Sequence, residues 1–352
     1  MLYKYNKITF AAGKSGGHII PCLTLAHNIK TYNPLFKASF LTTSSPLDIS
    51  IMSHYSNLYD VCQTVPLERI PSHITGYFSF IIDFTVSIIK SFLFFYKTQP
   101  DIVFSTGGIV ALPATIAAYI MNIPIHLYEL NTKPGKAIEY LSHIADTIYT
   151  TFDDISFDNI KQKPLYLPYP IRYTQEELNT NSSDARRSLG LNPSKHTITI
   201  LGGSQGSESL NMIIKNMIEH LKVSPHDVQF IHQTGSHHVE FLKNLYKEYG
   251  FDAYVFGYAH NLTPMYAAAD LIIGRAGAGT IFECHAFFKK TILVPLETVT
   301  TDHQKNNALQ AQKFFSNVFS VAFQKDLESH NGDKIAEYIF NFIPQRIENE
   351  IL

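Results

Sequence analysis

Thr197-Ile198-Thr199-Ile200-Leu201-Gly202-Gly203-Ser204-Gln205-Gly206 is an apolar, β-branched run that stops at a pair of glycines, and Leu210 and Ile213 follow at helical spacing. This is the pattern of a buried strand, a tight turn and a helix. Glycine at such a turn lets the backbone approach a ligand, and the helix start offers unpaired N–H groups and a positive dipole end. The unit occurs again near the other end of the chain. Residues 8–12 read as a strand, Gly13-Lys14-Ser15-Gly16-Gly17-His18 as the turn, and Leu23, Ala26 and Ile29 as the helical stripe. Neither turn has the G-x-x-x-x-G-K-[ST] spacing of a Walker loop or the G-x-G-x-x-G spacing of a dinucleotide fingerprint. Glycine-rich turns occur in any doubly wound fold, so the weight lies in having two, each at the first strand of its own half.

Working outward, short apolar runs alternate with longer helical patterns. Strand candidates are 7–12, 38–42, 102–105, 125–128 and 147–150 in the first half, and 197–201, 229–232, 253–256, 271–274 and 291–294 in the second. The rhythm predicts an α/β chain with parallel sheets covered by helices on both faces. It pauses between 173 and 195, where Asn179-Thr180-Asn181-Ser182-Ser183 and Asn192-Pro193 read as linker chemistry. Two Rossmann-like domains are therefore expected, 1–172 and 173–338. A C-terminal amphipathic helix carries Ile335, Ile339 and Phe342 on one stripe.

A chain of 352 residues has room for two cores of ordinary size. Its net charge of −2 gives no reason to expect nucleic acid as a partner. Cys22, Cys62 and Cys284 show neither a disulfide framework nor zinc spacing, which suits a reducing cytoplasm, and the N-terminus lacks the pattern of an export signal. Residues 74–96 are apolar enough to need an account, but Asp83 and Lys90 interrupt them, so a surface or core helix is expected rather than a span. Phe78, Ile81, Ile82, Ile88, Ile89, Phe92, Phe95 and Tyr96, with Lys90 and Lys97 nearby, supply material for an interfacial patch. About half of these side chains are expected to pack on the first sheet.

A third turn follows residues 271–274: Arg275-Ala276-Gly277-Ala278-Gly279-Thr280, with Glu283 one turn into the next helix. Small residues clear space for a diphosphate, and a carboxylate there can accept from ribose hydroxyls. Asp302-His303-Gln304 could serve sugar hydroxyls. In parallel sheets all of these loops belong to the carboxyl ends of strands, where ligands bind.

Together these residues resemble the MurG family of peptidoglycan glycosyltransferases. The family's G-G-T-G-G-H resembles Gly13–His18, with Lys14 and Ser15 as departures, and its G-G-S-Q-G stands unchanged at Gly202–Gly206. Its H-E-Q-N resembles Tyr128-Glu129-Leu130-Asn131, and its N-P-V-R resembles Tyr169-Pro170-Ile171-Arg172. Its R-[SA]-G-A-x-T-x-x-E matches Arg275 to Glu283, and its H-Q-x-x-N-A matches His303 to Ala308. Gly107-Gly108-Ile109-Val110-Ala111 resembles G-G-Y-x-S without the tyrosine and serine. The departures Lys14, Ile109, Ala111, Tyr128 and Leu130 gather on the acceptor side and bear on acceptor geometry more than on donor identity.

The resemblance implies two facing Rossmann-like domains (GT-B) whose final segment, 339–352, crosses back to the first. It implies transfer of N-acetylglucosamine from UDP-N-acetylglucosamine to the polyprenyl-diphosphate-linked muramyl peptide lipid I, giving lipid II at the cytoplasmic face of the bacterial inner membrane. Carried over by position, Ser204, Ala278, Gly279, Thr280 and Glu283 hold donor phosphates and ribose, Ala259 meets the uracil, Gln304 the sugar, and Arg172 completes the nucleotide site. Ser15, Gly16, Gly17 and Asn131 face the reacting sugar and the acceptor diphosphate.

Inverting transfer needs a base for the attacking hydroxyl and stabilisation of the departing UDP. His18 at a helix start is the candidate base, and Glu129 is either an alternative base or an orienter of the imidazole. The chain has no D-x-D triplet, so neither a metal nor a cofactor is called for. Two other readings share these features: a non-hydrolysing UDP-sugar 2-epimerase, and a non-catalytic member with a degenerate cleft.

Overall fold

The computed structural model describes residues 2–67, 71, 73, 76–152, 163–221, 225–297, 303–330 and 333–342. The chain divides into two compact units, Met1–Arg172 and Tyr173–Leu352. The first is built on β1 (Lys7–Ala11), β2 (Lys37–Thr43), β3 (Val61–Val65), β4 (Ile102–Ser105), β5 (Ile125–Glu129), β6 (Thr147–Thr150) and β7 (Leu165–Tyr166), in the order β3-β2-β1-β4-β5-β6-β7. The second is built on β8 (His196–Leu201), β9 (Val228–Gln233), β10 (Asp252–Phe256), β11 (Leu271–Gly274), β12 (Lys290–Leu293) and β13 (Phe319–Val321), in the order β10-β9-β8-β11-β12-β13. Every recorded pairing is parallel. In each sheet the order reverses beside the first strand, between β1 and β4 and between β8 and β11. The loops leaving those strands therefore stand at the switch points where α/β folds bind ligands.

Core packing follows the sequence period. Leu210, Ile213, Ile214 and Met217 fall on one stripe of the helix Glu208–His220 and pack with Ile198, Ile200 and Phe230 of the sheet. Burying each of those helix side chains contributes about 1.5–3 kcal/mol. Ile335 and Ile339, on the helix Asp333–Phe342, join the same core. Residues 343–352, which include most of the segment expected to cross back, lie outside the described residues.

Two features differ from expectation. The supposed linker is structured: Thr174 and Glu177 form a reciprocal cap on the helix Gln175–Leu178, and Asn181 caps Ser182–Ser188. Asn, Ser and Thr serve helix starts and loops through the same side-chain acceptor chemistry, so composition does not separate the two. This segment is anchored to the second unit by Arg186, which donates to both oxygens of Asp270 at 2.7 Å and to the carbonyls of Ala268 and Pro193.

The helix Tyr77–Thr98 is long and apolar enough to cross a membrane by length and composition. It connects strands of one sheet, however, and packs against the helix Ala111–Ile120. Its polarity is inverted. Ser87, Ser91, Phe94 and Phe95 are buried, whereas Phe78 is 77% exposed, Ile81 61%, Leu93 60% and Tyr96 74%. Phe94 and Phe95 share a core with Ala114, Ala117 and Ala118, and the hydroxyls of Ser87 and Ser91 are satisfied within the helix by the carbonyls of Asp83 and Ser87. Of the expected patch residues, Phe95 belongs to the core and Ile88 is half-buried.

Candidate active site

The first glycine turn leaves β1 and enters the helix Gly16–Tyr32. Lys14 adopts φ 74°, a left-handed conformation that costs a side-chain-bearing residue roughly 1–2 kcal/mol. Asp48 holds it there. This fully buried carboxylate accepts the Lys14 N–H at 2.7 Å through Oδ2, which also takes the hydroxyls of Thr43 at 2.6 Å and Thr42 at 3.1 Å. Ser15 has the extended backbone of a helix cap, φ −162° and ψ 155°, yet its hydroxyl does not cap the helix. The opening N–H groups of the helix stay available to an anion.

His18 lies three residues into this helix. Its Nδ1 is 2.9 Å from the carbonyl oxygen of Thr106, which can only accept, so Nδ1 carries the proton and Nε2 of the neutral ring is basic. The Thr106 hydroxyl returns a bond to the His18 carbonyl at 3.0 Å. Burial holds the imidazole pKa below its ordinary 6.5; the Lys14 charge adds to this, while the Thr106 bond and Asp48 oppose it. The ring is thus neutral and aimed at physiological pH.

Glu129 plays a different part from the orienting role considered for it. Its carboxylate, 2% exposed, accepts from the backbone and side-chain amide of Asn131 at 2.8 and 2.9 Å and from Gly135 N at 2.8 Å. No hydrogen bond joins it to His18, and Thr106 is the residue that fixes the imidazole. Burial raises the Glu129 pKa to about 6, against the pull of those amide donors. Glu129 shapes the turn that presents Asn131. The acceptor-side departures sort clearly as well. Tyr128, Leu130, Ile109 and Ala111 are all buried, and the Tyr128 hydroxyl reaches Thr151 and the carbonyls of Leu167 and Pro168. Lys14 is exposed.

In the second unit the turn 202–207 follows β8. Gly206, at φ 75°, packs so closely on the loop after β9 that an added Cβ would lie 2.5 Å from the Thr234 oxygen and 2.6 Å from Gly235 Cα. Gly203, at φ 87°, has open space where a Cβ would stand, so it is the glycine that leaves room for a ligand beside the half-buried Ser204. Gly206→Ala is expected to cost at least about 2 kcal/mol, from left-handed strain plus a backbone clash, read by denaturant unfolding.

Ser207 begins the helix Glu208–His220 without capping it; its hydroxyl instead accepts from Arg275 Nε at 2.8 Å. Arg275, 5% exposed, also donates to the Val294 carbonyl, Gln324 and Ser209. Burial lowers its pKa to about 10, so it stays charged at neutral pH. It pins three loops together and places positive charge beneath them. After β11, Gly277 stands at the start of the helix Ala278–Ala286 with no side-chain cap and open space at its Cβ position. Gly279 and Thr280 are half-buried in its first turn and Ala278 is buried.

Glu283 is 6% exposed, and its Oε2 accepts from the hydroxyls of Tyr266 at 2.9 Å and Tyr173 at 3.2 Å. Those rings pack with Phe287. Gln304 is half-buried, and its Oε1 accepts the Leu296 N–H at 3.0 Å, which leaves its NH2 as the group to meet a ligand. Ala259, in the loop after β10, is half-buried, as is Arg172 at the end of the first unit. Asp302 lies outside the described residues.

Sequence reasoning did not find Asp48, Thr106, Tyr173 or Tyr266. Asp48 alone had a local signal, because Ser45-Pro46-x-Asp48 is a helix-start pattern and the Ser45 hydroxyl accepts the Asp48 N–H.

Comparison with known proteins identifies the family. The glycosyltransferase family 28 N-terminal domain matches residues 8–150, and the C-terminal domain of that family matches residues 197–341. The UDP-N-acetylglucosamine–N-acetylmuramyl-(pentapeptide) pyrophosphoryl-undecaprenol N-acetylglucosamine transferase of Halalkalibacterium halodurans is 30% identical over 343 residues, 95% of this chain and 89% of its own length. The chain belongs to the MurG family, within glycosyltransferase family 28. A transferase of the same description from Carboxydothermus hydrogenoformans is 30% identical over 86% of this chain and 81% of its own. Among solved structures, MurG of Acinetobacter baumannii aligns with a TM-score of 0.66 at 22% identity, covering 95% of this chain and 90% of that one. A UDP-N-acetylglucosamine 2-epimerase aligns with a TM-score of 0.59 at 13% identity, over 95% and 87%. These structures show a shared fold, GT-B, and no more. At this level of identity the fold is common to transferases and epimerases, so the MurG-family assignment rests on sequence.

Proposed function

We propose that the chain is an inverting glycosyltransferase that moves N-acetylglucosamine from UDP-N-acetylglucosamine to the muramyl sugar of lipid I, forming lipid II. The observation that carries the chemistry is the His18–Thr106 bond, which leaves a neutral imidazole with a basic Nε2 beside an uncapped helix start. In this reading Nε2 takes the proton of the attacking hydroxyl. Ser15, Gly16, Gly17 and Asn131 receive the acceptor. Charge developing on the departing UDP falls to the loop with Ser204, to the helix start at Ala278, Gly279 and Thr280, and to Arg172. Glu283 takes the ribose, Ala259 the base and Gln304 the sugar hydroxyls. Names of relatives support the transferase over the 2-epimerase. The deciding experiment supplies UDP-N-acetylglucosamine with a short-chain lipid I analogue: disaccharide and UDP should form in equal amounts. Epimerised donor in the absence of acceptor would replace this reading.

A lipid-linked acceptor requires contact with the membrane surface, here the cytoplasmic face. The inverted helix Tyr77–Thr98 supports that contact, because its large apolar side chains point outward in a row beside the exposed Lys97. The double variant Phe78→Ser/Leu93→Ser should bind anionic vesicles about tenfold more weakly, with UDP affinity unchanged. Sedimentation of the variant with vesicles as complete as that of the parent protein would move the membrane face elsewhere.

A further inference from the structure

The turn 202–207 rests on backbone. An added Cβ at Gly202 would stand 2.9 Å from the Gln233 oxygen, and one at Gly235 would stand 2.8 Å from the Gln205 oxygen. The turn and the loop after β9 thus meet main chain to main chain, and the placement of that loop sets the placement of the turn and of Ser204 on it. The Thr234 carbonyl, which Gly206 faces, accepts the side-chain amide of Asn211 at 2.9 Å. Asn211 stands one turn into the helix Glu208–His220, the helix that the same turn opens, and its own N–H donates to the Ser207 carbonyl. Turn, helix, amide and carbonyl close a ring.

Behind the ring a polar chain runs through an apolar core: Asn211, His232 and Tyr246 are all buried. The Asn211 NH2 goes to a carbonyl, so its Oδ1 accepts from His232 Nε2, 3.2 Å away. Nδ1 is then the bare nitrogen and accepts the Tyr246 hydroxyl at 3.0 Å. Burial lowers the His232 pKa to about 3, so the chain keeps one protonation state at neutral pH. Apolar groups of the same shape could serve stability nearly as well, whereas a fully satisfied polar chain fixes one geometry. What it fixes here is the direction of the Asn211 amide.

We propose that Asn211 is a positioning residue for the donor site: through the Thr234 carbonyl it sets the backbone under the turn 202–207, while His232 and Tyr246 aim its amide. This rests on the donor assignment made above and adds to it a residue that touches no ligand.

The test compares Asn211→Leu, which removes the amide, with Tyr246→Phe, which breaks the far end of the chain and keeps the bond to Thr234. Both variants should lose stability. UDP affinity by calorimetry should fall about tenfold in Asn211→Leu and stay within about twofold of the parent in Tyr246→Phe. The triple variant Asn211→Leu/His232→Leu/Tyr246→Phe replaces the whole chain with apolar groups. It should fold even where the single leucine variant does not, and show the same tenfold loss. In ligand-free protein, hydrogen exchange over the turn 202–207 should quicken in the leucine variants and not in Tyr246→Phe. Parental UDP affinity and exchange in the leucine variants, or an equal loss in Tyr246→Phe, overturns the role of Asn211. A parent protein that binds no UDP overturns the donor assignment instead, and exchange at the turn still decides Asn211.

Discussion

Replacing His18 with alanine is expected to lower kcat by roughly 10²–10⁴-fold, the range for loss of a positioned general base, with UDP affinity unaltered. The expectation comes from the tautomer. Thr106 offers His18 Nδ1 an acceptor only, so the neutral ring presents Nε2 as a base, and the return bond from the Thr106 hydroxyl to the His18 carbonyl fixes the helix relative to β4. The pH profile gives an independent readout. A base works only when unprotonated, so the rate falls as pH drops through the His18 pKa. Burial puts that pKa below 6.5; Lys14 pushes the same way, and Asp48 and the Thr106 bond push back. The acid limb of kcat/KM should therefore lie below pH 6.5 and be absent from the residual activity of His18→Ala. A limb unchanged in the variant would assign it to another group, with Glu129, raised to about 6, as the first to test.

Glu283 carries the second large effect, and two variants are needed to read it. In Glu283→Ala the hydroxyls of Tyr173 and Tyr266 lose their acceptor in a buried setting. Stability should fall by about 1–3 kcal/mol for each lost bond. Glu283→Gln retains an oxygen for the tyrosines and removes the charge. Its affinity for UDP should drop by about 1.5–3 kcal/mol, roughly 10–150-fold, the range for a lost charged hydrogen bond, while its unfolding midpoint stays close to the parent's. Calorimetry with UDP and denaturant titration separate the two. Full UDP affinity in the glutamine variant would reduce Glu283 to a support for the tyrosine cluster.

These two residues show how far a sequence can be read. Glycine turns at strand ends announced where the candidate site lies, because few residues tolerate those backbone conformations. The interior strands stood out because burial on both faces demands continuous apolar runs. Strands β3, β7 and β13 were missed, and all three are sheet edges. β3 is half-exposed with Gln63 and Thr64 inside it, β7 is two exposed residues, and β13 is three residues long. Edge pairing needs no apolar pattern, so none is written. Positions of the candidate residues were legible, but their supports were not. His18 is held by a carbonyl 88 residues away, and Glu283 by a tyrosine 110 residues away. A carbonyl carries no side-chain signature at all. The surroundings of Glu129 were hidden for the complementary reason: its partners are the backbone and the Asn131 amide of its own turn, and a carboxylate looks the same in sequence whether it faces a substrate or a loop.

The inverted helix separates two requirements that most surface helices combine. Its grip on the first unit comes from Ser87, Ser91, Phe94 and Phe95, while Phe78, Ile81, Leu93 and Tyr96 touch little of the protein. The outer row can therefore be rewritten at small cost to folding, since surface substitutions away from packed features usually shift stability within about 0.5 kcal/mol. A version with several serines in that row would express and concentrate as a well-behaved soluble protein with an ordinary melting temperature. For such a chain, good behaviour in buffer is a poor guide to competence, because the residues that trouble the biochemist at the bench are those the fold can spare.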